Sequence, residues 1–509
     1  MATVTTLPSG ARHEHRGLSY WMDRVEKELE NVRTSPGLDA VHDLRVAIRR
    51  CRSVAAVMEE IDHDPAWPEM RKAARKLFHG LGALRDAQVM DEWVKKLGAE
   101  NDPVRKHLHA EFASREPKLR ESALRIAGKF DEKLWKRLER HLRQRARLIP
   151  ASSLAAECIT LERYEEAREL HMRALRTEKS KPWHALRIGL KRFRYTVESL
   201  LPEHHAAWSE NLKRIQDLLG DLHDLDVLAS TLKEITFQDS TAIVQQWKET
   251  IDRERHERIE TYRQLSLGKT SIWNEWRHGL PHGDRLEAAS MARLRATARA
   301  VDKRPRRTSQ VSRIAAALFD ALRRVEAAPA FADPPMRRIL RAAARLHAVG
   351  AGLGAKSPQK AARKFLRGLT IPPGWTSEQW DCLTWTVRYH RGAEPDNEHG
   401  AFSKLSAEQQ KNIRALAGVL RLARGLRKCG VESGSGLRAE KSSDAFLLRV
   451  PGLVDTVETA ARLAAAKHLL ETYLGKPLIL KSVAKPEKVV ALAPQPEEQL
   501  HVATAAASD

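Results

Sequence analysis

Apolar positions recur every three or four residues along most of the chain, the mark of amphipathic helices with one face turned to a core. The clearest instances are Val41, Leu44, Ile48, Cys51 and Ala55 and, far downstream, Trp183, Leu186, Leu190, Phe193 and Val197. The same spacing predicts helices over 17–32, 67–81, 103–128 and 131–148 around the first set, and over 154–176, 206–232 and 243–265 around the second. Pro117 is expected to break the helix over 103–128, because proline lacks the N–H that a helix interior needs. Each half then reads as a bundle of about four helices.

The two clearest helices are copies of one pattern. Val41-His42-Asp43-Leu44-Arg45-Val46-Ala47-Ile48-Arg49-Arg50-Cys51-Arg52 matches Trp183-His184-Ala185-Leu186-Arg187-Ile188-Gly189-Leu190-Lys191-Arg192-Phe193-Arg194 position by position, an internal repeat of long period. One residue round from each core face runs a second stripe: His42, Arg45, Arg49 and Arg52 in the first copy, His184, Arg187, Lys191 and Arg194 in the second. Solvated helix faces ordinarily mix signs, since like charges at these spacings cost a helix roughly 0.2–0.5 kcal/mol per pair. No acidic residue interrupts either stripe, so the pattern points to a polyanion site. Arginine suits it, because its planar fork grips phosphate oxygens through two parallel hydrogen bonds. Ser180 and Pro182 mark a helix start ahead of His184, as Ser35 and Pro36 do ahead of His42, placing backbone N–H groups near the histidine end. Both histidines are expected to donate to the anion and to add binding as pH falls toward about 6.5.

Around 280–307 the pattern changes. Pro281-His282-Gly283 makes a break, a basic helix follows, and Lys303-Arg304-Pro305-Arg306-Arg307 reads as an exposed basic linker. Beyond it, helices are predicted over 311–325, 336–349, 380–389 and 407–426. The end mixes types: a strand over 445–450, a helix over 454–473, a strand over 477–482 after Gly475, and a disordered tail from 484.

Composition narrows the partner. A net charge of +22 and a pI near 9.9 imply a polyanion, whether nucleic acid, an anionic membrane surface or a phosphate polymer. The stripes carry no interleaved aromatics for base stacking, which disfavours nucleic acid. Four scattered cysteines form no CxxC pair and suggest neither a disulfide framework nor a zinc knuckle. Residues 1–10 lack signal-peptide features and no apolar run is long enough to span a bilayer, so a cytoplasmic protein is expected, with no membrane insertion.

The repeat resembles the CHAD family, the conserved-histidine α-helical domain. The likeness includes a second paired segment, Leu81-Gly82-Ala83-Leu84-Arg85-Asp86-Ala87-Gln88-Val89-Met90 against Leu219-Gly220-Asp221-Leu222-His223-Asp224-Leu225-Asp226-Val227-Leu228. Arg75 and Lys76 precede the first at the spacing by which Lys213 and Arg214 precede the second. The resemblance implies two pseudo-symmetric helical bundles over about 10–150 and 151–280, and inorganic polyphosphate held in a basic channel. The residues expected to hold it are His42, Arg45, Arg49, Arg50, Arg52, Arg75, Lys76, His184, Arg187, Lys191, Arg192, Arg194, Lys213 and Arg214. Asp86 and Asp224 are read as structural partners of arginines.

A basic linker over 281–307 then leads to a domain over 308–483 that resembles the C-terminal HD-type helical domain of exopolyphosphatase and guanosine-pentaphosphate phosphohydrolase proteins. Val311-Ser312-Arg313-Ile314-Ala315-Ala316-Ala317-Leu318-Phe319-Asp320-Ala321-Leu322, Ala344-Arg345-Leu346-His347-Ala348-Val349-Gly350, Val387-Arg388-Tyr389-His390-Arg391-Gly392 and Leu420-Arg421-Leu422-Ala423-Arg424-Gly425-Leu426 carry the likeness. An active HD site holds a water-activating metal with a His-Asp pair and an outlying His and Asp. Here the pair is His347-Ala348, the later Asp position is Arg424, and the upstream His position holds Arg307. The expected fold is mainly α, two pseudo-symmetric bundles followed by an HD-like helical domain ending in a small α+β element. The expected function is non-catalytic polyphosphate binding, with no catalytic residue, metal or cofactor, extending to polyphosphate granules. The alternatives are a phosphohydrolase of polyphosphate or guanosine polyphosphates and, more weakly, a nucleic-acid binder.

Overall fold

In the computed structural model, residues 17–35, 37–234, 241–396, 400–454 and 456–484 are described. The expectations for residues 1–10, Pro36 and the tail beyond 484 lie outside them.

The first repeat contains α1 (Leu18–Thr34), α2 (Leu38–Glu59), α3 (Ala66–Gly80), α4 (Gly82–Leu97), α5 (Pro103–Gly128) and α6 (Glu132–Ala146). The second contains α7 (Leu154–Ala174), α8 (Ser180–Leu200), α9 (Pro202–Glu234), α10 (Thr241–Ser266) and α11 (Ile272–His278). The apolar spacing sets both bundles. Val41, Leu44, Ile48, Cys51 and Ala55 are all buried on α2, and Trp183, Leu186, Leu190, Phe193 and Val197 on α8. Like packs on like: α1 on α2 and α7 on α8, α2 on α3 and α8 on α9, α4 on α5 and α9 on α10. Gly189 lets α7 approach α8 closely, since a Cβ there would lie 2.6 Å from Leu170 Cδ1.

Two expectations are corrected. The bundles hold more than four helices each: the first repeat breaks between α3 and α4 where α9 runs unbroken in the second, and the second adds the short α11. Gly80 and Gly82 flank Leu81 at the break, whereas the second repeat reads Leu218-Leu219-Gly220; two glycines in three residues weaken the helix interior where one does not. Pro117 lies inside a continuous α5. Pro117 and Ala113, whose carbonyl loses its donor, are both exposed, so water takes the place of the missing N–H.

The repeats share one core. Trp21, Val41, Trp67 and Trp135 join Tyr164, Trp183, Phe193 and Trp273 in a single buried cluster. A second cluster joins Trp93, Val94 and Leu108 of the first repeat to Leu225, Leu228 and Trp247 of the second. There Asp102, which caps α5 by accepting from the Val104 and Arg105 N–H groups, also accepts from Trp247 Nε1 at 3.0 Å.

Downstream come α12 (Gly283–Val301), α13 (Pro305–Arg324), α14 (Pro329–Ala332), α15 (Pro334–Leu346), α16 (Val349–Gly352), α17 (Pro358–Arg367), α18 (Ser377–Tyr389) and α19 (Ala407–Lys428). The basic run expected as a linker is exposed, but α13 already starts at Pro305, a residue suited to a first helical turn. The chain then forms β1 (Arg438–Lys441), β2 (Phe446–Pro451), α20 (Val457–Leu474) and β3 (Leu478–Val483). β1 pairs antiparallel with β2, and β2 pairs parallel with β3 across the α20 crossover. The fold is mainly α and ends in a small α+β element.

The chain divides into two compact units. Among the described residues, one comprises those up to 308 with 342–393, the other 309–341 with those from 394 to 484. In the first, α12 packs on α7 and α17 on α18, and the Trp375 indole donates to the Ser290 hydroxyl, which donates to Pro373 O. In the second, α19 packs on α20, and Gly418 keeps their backbones close, a Cβ there lying 3.0 Å from Leu470 Cα.

Candidate functional site

The repeated helices start in phase. His42 is the fifth residue of α2 and His184 the fifth of α8, and neither helix has a side-chain cap on its first turn. α2 and α8 pack against each other, and Arg49 Nη1 donates to Tyr195 Oη at 3.2 Å from one to the other. The two cationic stripes therefore meet rather than point apart.

Their meeting leaves an electrostatic signature. Burial pushes the Lys191 ammonium down to about 6, helped by the positive charges of Arg187, Arg49 and Arg45. Burial likewise brings Arg45 down to about 10, with Arg49 and Arg85 adding to it and Asp86 opposing. Arg187 is lowered by burial and by Arg49, against the pull of Asp224. Arg52 is lowered by burial and by Arg71, Arg75 and Arg49. Arg49 thus presses on cations of both copies and stands at their junction. The Nε–H groups of Arg187 and Arg194 are buried and donate to no partner.

An aromatic floor supports the first stripe. The Phe78 ring from α3 lies under Arg45, Arg49 and Arg52, with centroid distances of 4.3, 5.8 and 5.2 Å, and Arg45 Nη1 donates to Phe78 O at 3.0 Å. Cation–π contact holds guanidinium planes without neutralising them.

The histidine ends follow the repeat. His42 feels Arg85, and His184 lies beside His223, their Nδ1 atoms 3.2 Å apart; Arg85 and His223 occupy the same place in the second paired segment. Both repeat histidines are lowered, first by burial and then by cations, Arg85 acting on His42 and Arg187 and Lys191 on His184, and His223 is brought down to about 4. In the free protein the two histidines therefore charge at more acidic pH than an ordinary imidazole. The aspartates differ. Asp86 is exposed and 3.9 Å from Arg45. Asp224 is pushed up to about 6 by burial, against Arg187 and Lys191 and a hydrogen bond from Trp93.

Several expected contacts lie off the junction. Arg50 pairs with Glu198 and stacks 4.2 Å from the Tyr195 ring centroid, tying α2 to α8. Arg192 pairs with Glu166 at 2.7 Å. The positive charge of Arg75 acts on Arg52, whereas Lys76, Lys213 and Arg214 are exposed on α3 and α9. Sequence reading missed Phe78, Tyr195 and His223. Only His223 had a signal, its place opposite Arg85.

In the downstream segment His347 is buried, its Nδ1 2.8 Å from Ala344 O, and its ring stands edge-on to His390 at 5.2 Å between centroids. Among the described residues no group of three or more His, Cys, Asp or Glu could hold a metal ion, and no helix is long and apolar enough to cross a membrane. The four cysteines are buried and form no disulfide.

Two coupled helical repeats with a cationic face at their junction define a helical-repeat protein of unusual charge concentration. A family model described as the CHAD domain matches residues 18–233, and one described as Ppx/GppA phosphatase, domain III, matches residues 294–450. The chain therefore carries a CHAD domain followed by a Ppx/GppA phosphatase domain III. Among solved structures it is similar to the crystal structure of the CHAD domain from the plant Ricinus communis, at 21% identity, covering 52% of this chain and 88% of that chain with a TM-score of 0.37. No curated protein matches it.

Proposed function

We propose that this protein binds inorganic polyphosphate without catalysis, through Arg45, Arg49, Arg52, Arg187, Lys191 and Arg194, with His42 and His184 at the helix starts. The observation that carries this reading is the depressed Lys191 held among arginines of both repeats. Such a cluster costs folding free energy unless an anion fills it, and a phosphate chain supplies closely spaced charges to both stripes. Arg75 extends the contact on the first stripe. The site would work in the cytoplasm and on polyphosphate granules. Binding of long polyphosphate, single-stranded RNA and duplex DNA measured side by side tests the partner. Polyphosphate should bind at least tenfold tighter than either nucleic acid at equal charge concentration; equal or tighter RNA binding overturns the assignment.

A second reading, phosphohydrolysis, is favoured by the match to a phosphatase domain III. Against it stand Ala348 and Arg424 where an HD site needs carboxylates, since arginine repels the cation that a carboxylate would hold. The full-length protein should release no phosphate from polyphosphate or guanosine tetraphosphate with Mg²⁺ or Mn²⁺. Metal-dependent release abolished by His347→Ala would establish the second reading.

A further inference from the structure

A separate cationic pocket lies on α17 and α18. Lys360, Arg363, Lys364 and Arg367 fall at spacings of three, one and three along α17, which puts them on one helix face. Arg388 joins them from α18, and these five residues alone line a pocket of about 330 Å³. No acidic side chain is among them.

The arrangement is built rather than incidental. Arg363 is fixed over the Trp385 ring at 3.5 Å, and Trp385 stacks on Tyr389 at 5.5 Å and 10°. The Nε of Arg363 and one Nη of Arg388 are buried with no hydrogen-bond partner. Buried guanidinium N–H groups are ordinarily satisfied, so two unsatisfied donors at an all-cationic pocket mark the place of an acceptor. Burial, with Arg367 next, lowers Arg363 against the pull of Asp381, which does not line the pocket. The volume is at the small end of ligand sites. Trp385 and Tyr389 are buried and already occupied by Arg363 and by each other, which leaves no open ring for a base.

We propose that this pocket is a second anion site, independent of the α2–α8 strip, that takes a short inorganic condensed phosphate or the end of a longer chain. It uses none of the strip residues and stands or falls separately from them.

The test is calorimetric titration of the full chain with tripolyphosphate, in the background Arg45→Glu with Arg49→Glu that disables the strip. Tripolyphosphate should still bind, and adding Lys364→Glu with Arg367→Glu, both exposed, should weaken it at least tenfold with the circular dichroism spectrum unchanged. Arg388→Gln, which keeps a donor but removes the charge, should weaken it severalfold and guards against failure of the reversed variant to fold. Loss of all tripolyphosphate binding on strip reversal, or unchanged affinity in the folded pocket variants, overturns the proposal. A GTP arm reads the ligand class: affinity at or below that of tripolyphosphate supports phosphate-only recognition, and tenfold tighter GTP binding refutes it.

Discussion

Lys191 shows most directly how the strip exchanges stability for charge. Its ammonium is brought from 10.5 down to about 6 by burial and by neighbouring cations. Between those two values the unfolded chain binds the proton more readily than the folded one, so this residue makes stability rise with pH across that window and adds no further change below it. A bound polyanion reverses the preference, so binding should take up protons at neutral pH and tighten as pH falls from 8 to 6. Lys191→Met should raise stability at pH 7 by on the order of 1 kcal/mol or more, because it removes a proton that folding must release, while weakening polyphosphate binding and flattening its pH dependence. Thermal denaturation and titration at pH 6, 7 and 8 check both; a destabilised variant with wild-type pH dependence would refute the role. The stripe residues were legible because repetition singled them out. Arg50 and Arg192 fall off the stripes by spacing, since neighbours in sequence point about 100° apart on a helix, but the carboxylates that occupy them, Glu198 and Glu166, lie on other helices and leave no mark in their own segments. Phe78 was hidden because its role is a contact between helices that leaves no mark in its own segment.

Among the elements, those whose apolar spacing spans several turns were readable, and those fixed by contacts were not. α2, α8 and α19 announce themselves by periodicity, and α20 and the strands beside it by the change of pattern around Gly475. β1, whose residues read Arg-Ala-Glu-Lys, has no alternation of its own and exists through its pairing with β2. The α3–α4 break shows the same dependence on context. Gly80 faces α5 so closely that a Cβ would lie 2.4 Å from Ile126 Cδ1 and 3.2 Å from Ile126 Cβ. Gly80→Ala should therefore destabilise the protein by about 1–3 kcal/mol through overpacking, despite alanine's better helix propensity. Urea unfolding of the single variant and of Gly80→Ala with Ile126→Ala separates the causes: the second change should recover stability relative to additivity if the clash dominates, and additive losses would assign the cost elsewhere.

At the scale of the whole molecule, the +22 charge is not spread evenly in its effect. Most arginines of the helical repeats meet carboxylates, as Arg163, Arg255 and Arg258 do, while the α2–α8 junction keeps its cations together. The number of phosphates engaged there should appear as the slope of log affinity against log salt. The direct test compares wild type with Arg45→Glu/Arg49→Glu and with Arg187→Glu/Lys191→Glu in polyphosphate titrations at several salt concentrations, with circular dichroism to verify helicity. On the proposed reading that both stripes hold one phosphate chain, each double variant should lose at least a hundredfold in affinity at low salt and show a shallower slope, with helicity unchanged. Wild-type affinity and slope in both folded variants would show the stripes to be ordinary solvated faces and contradict the account.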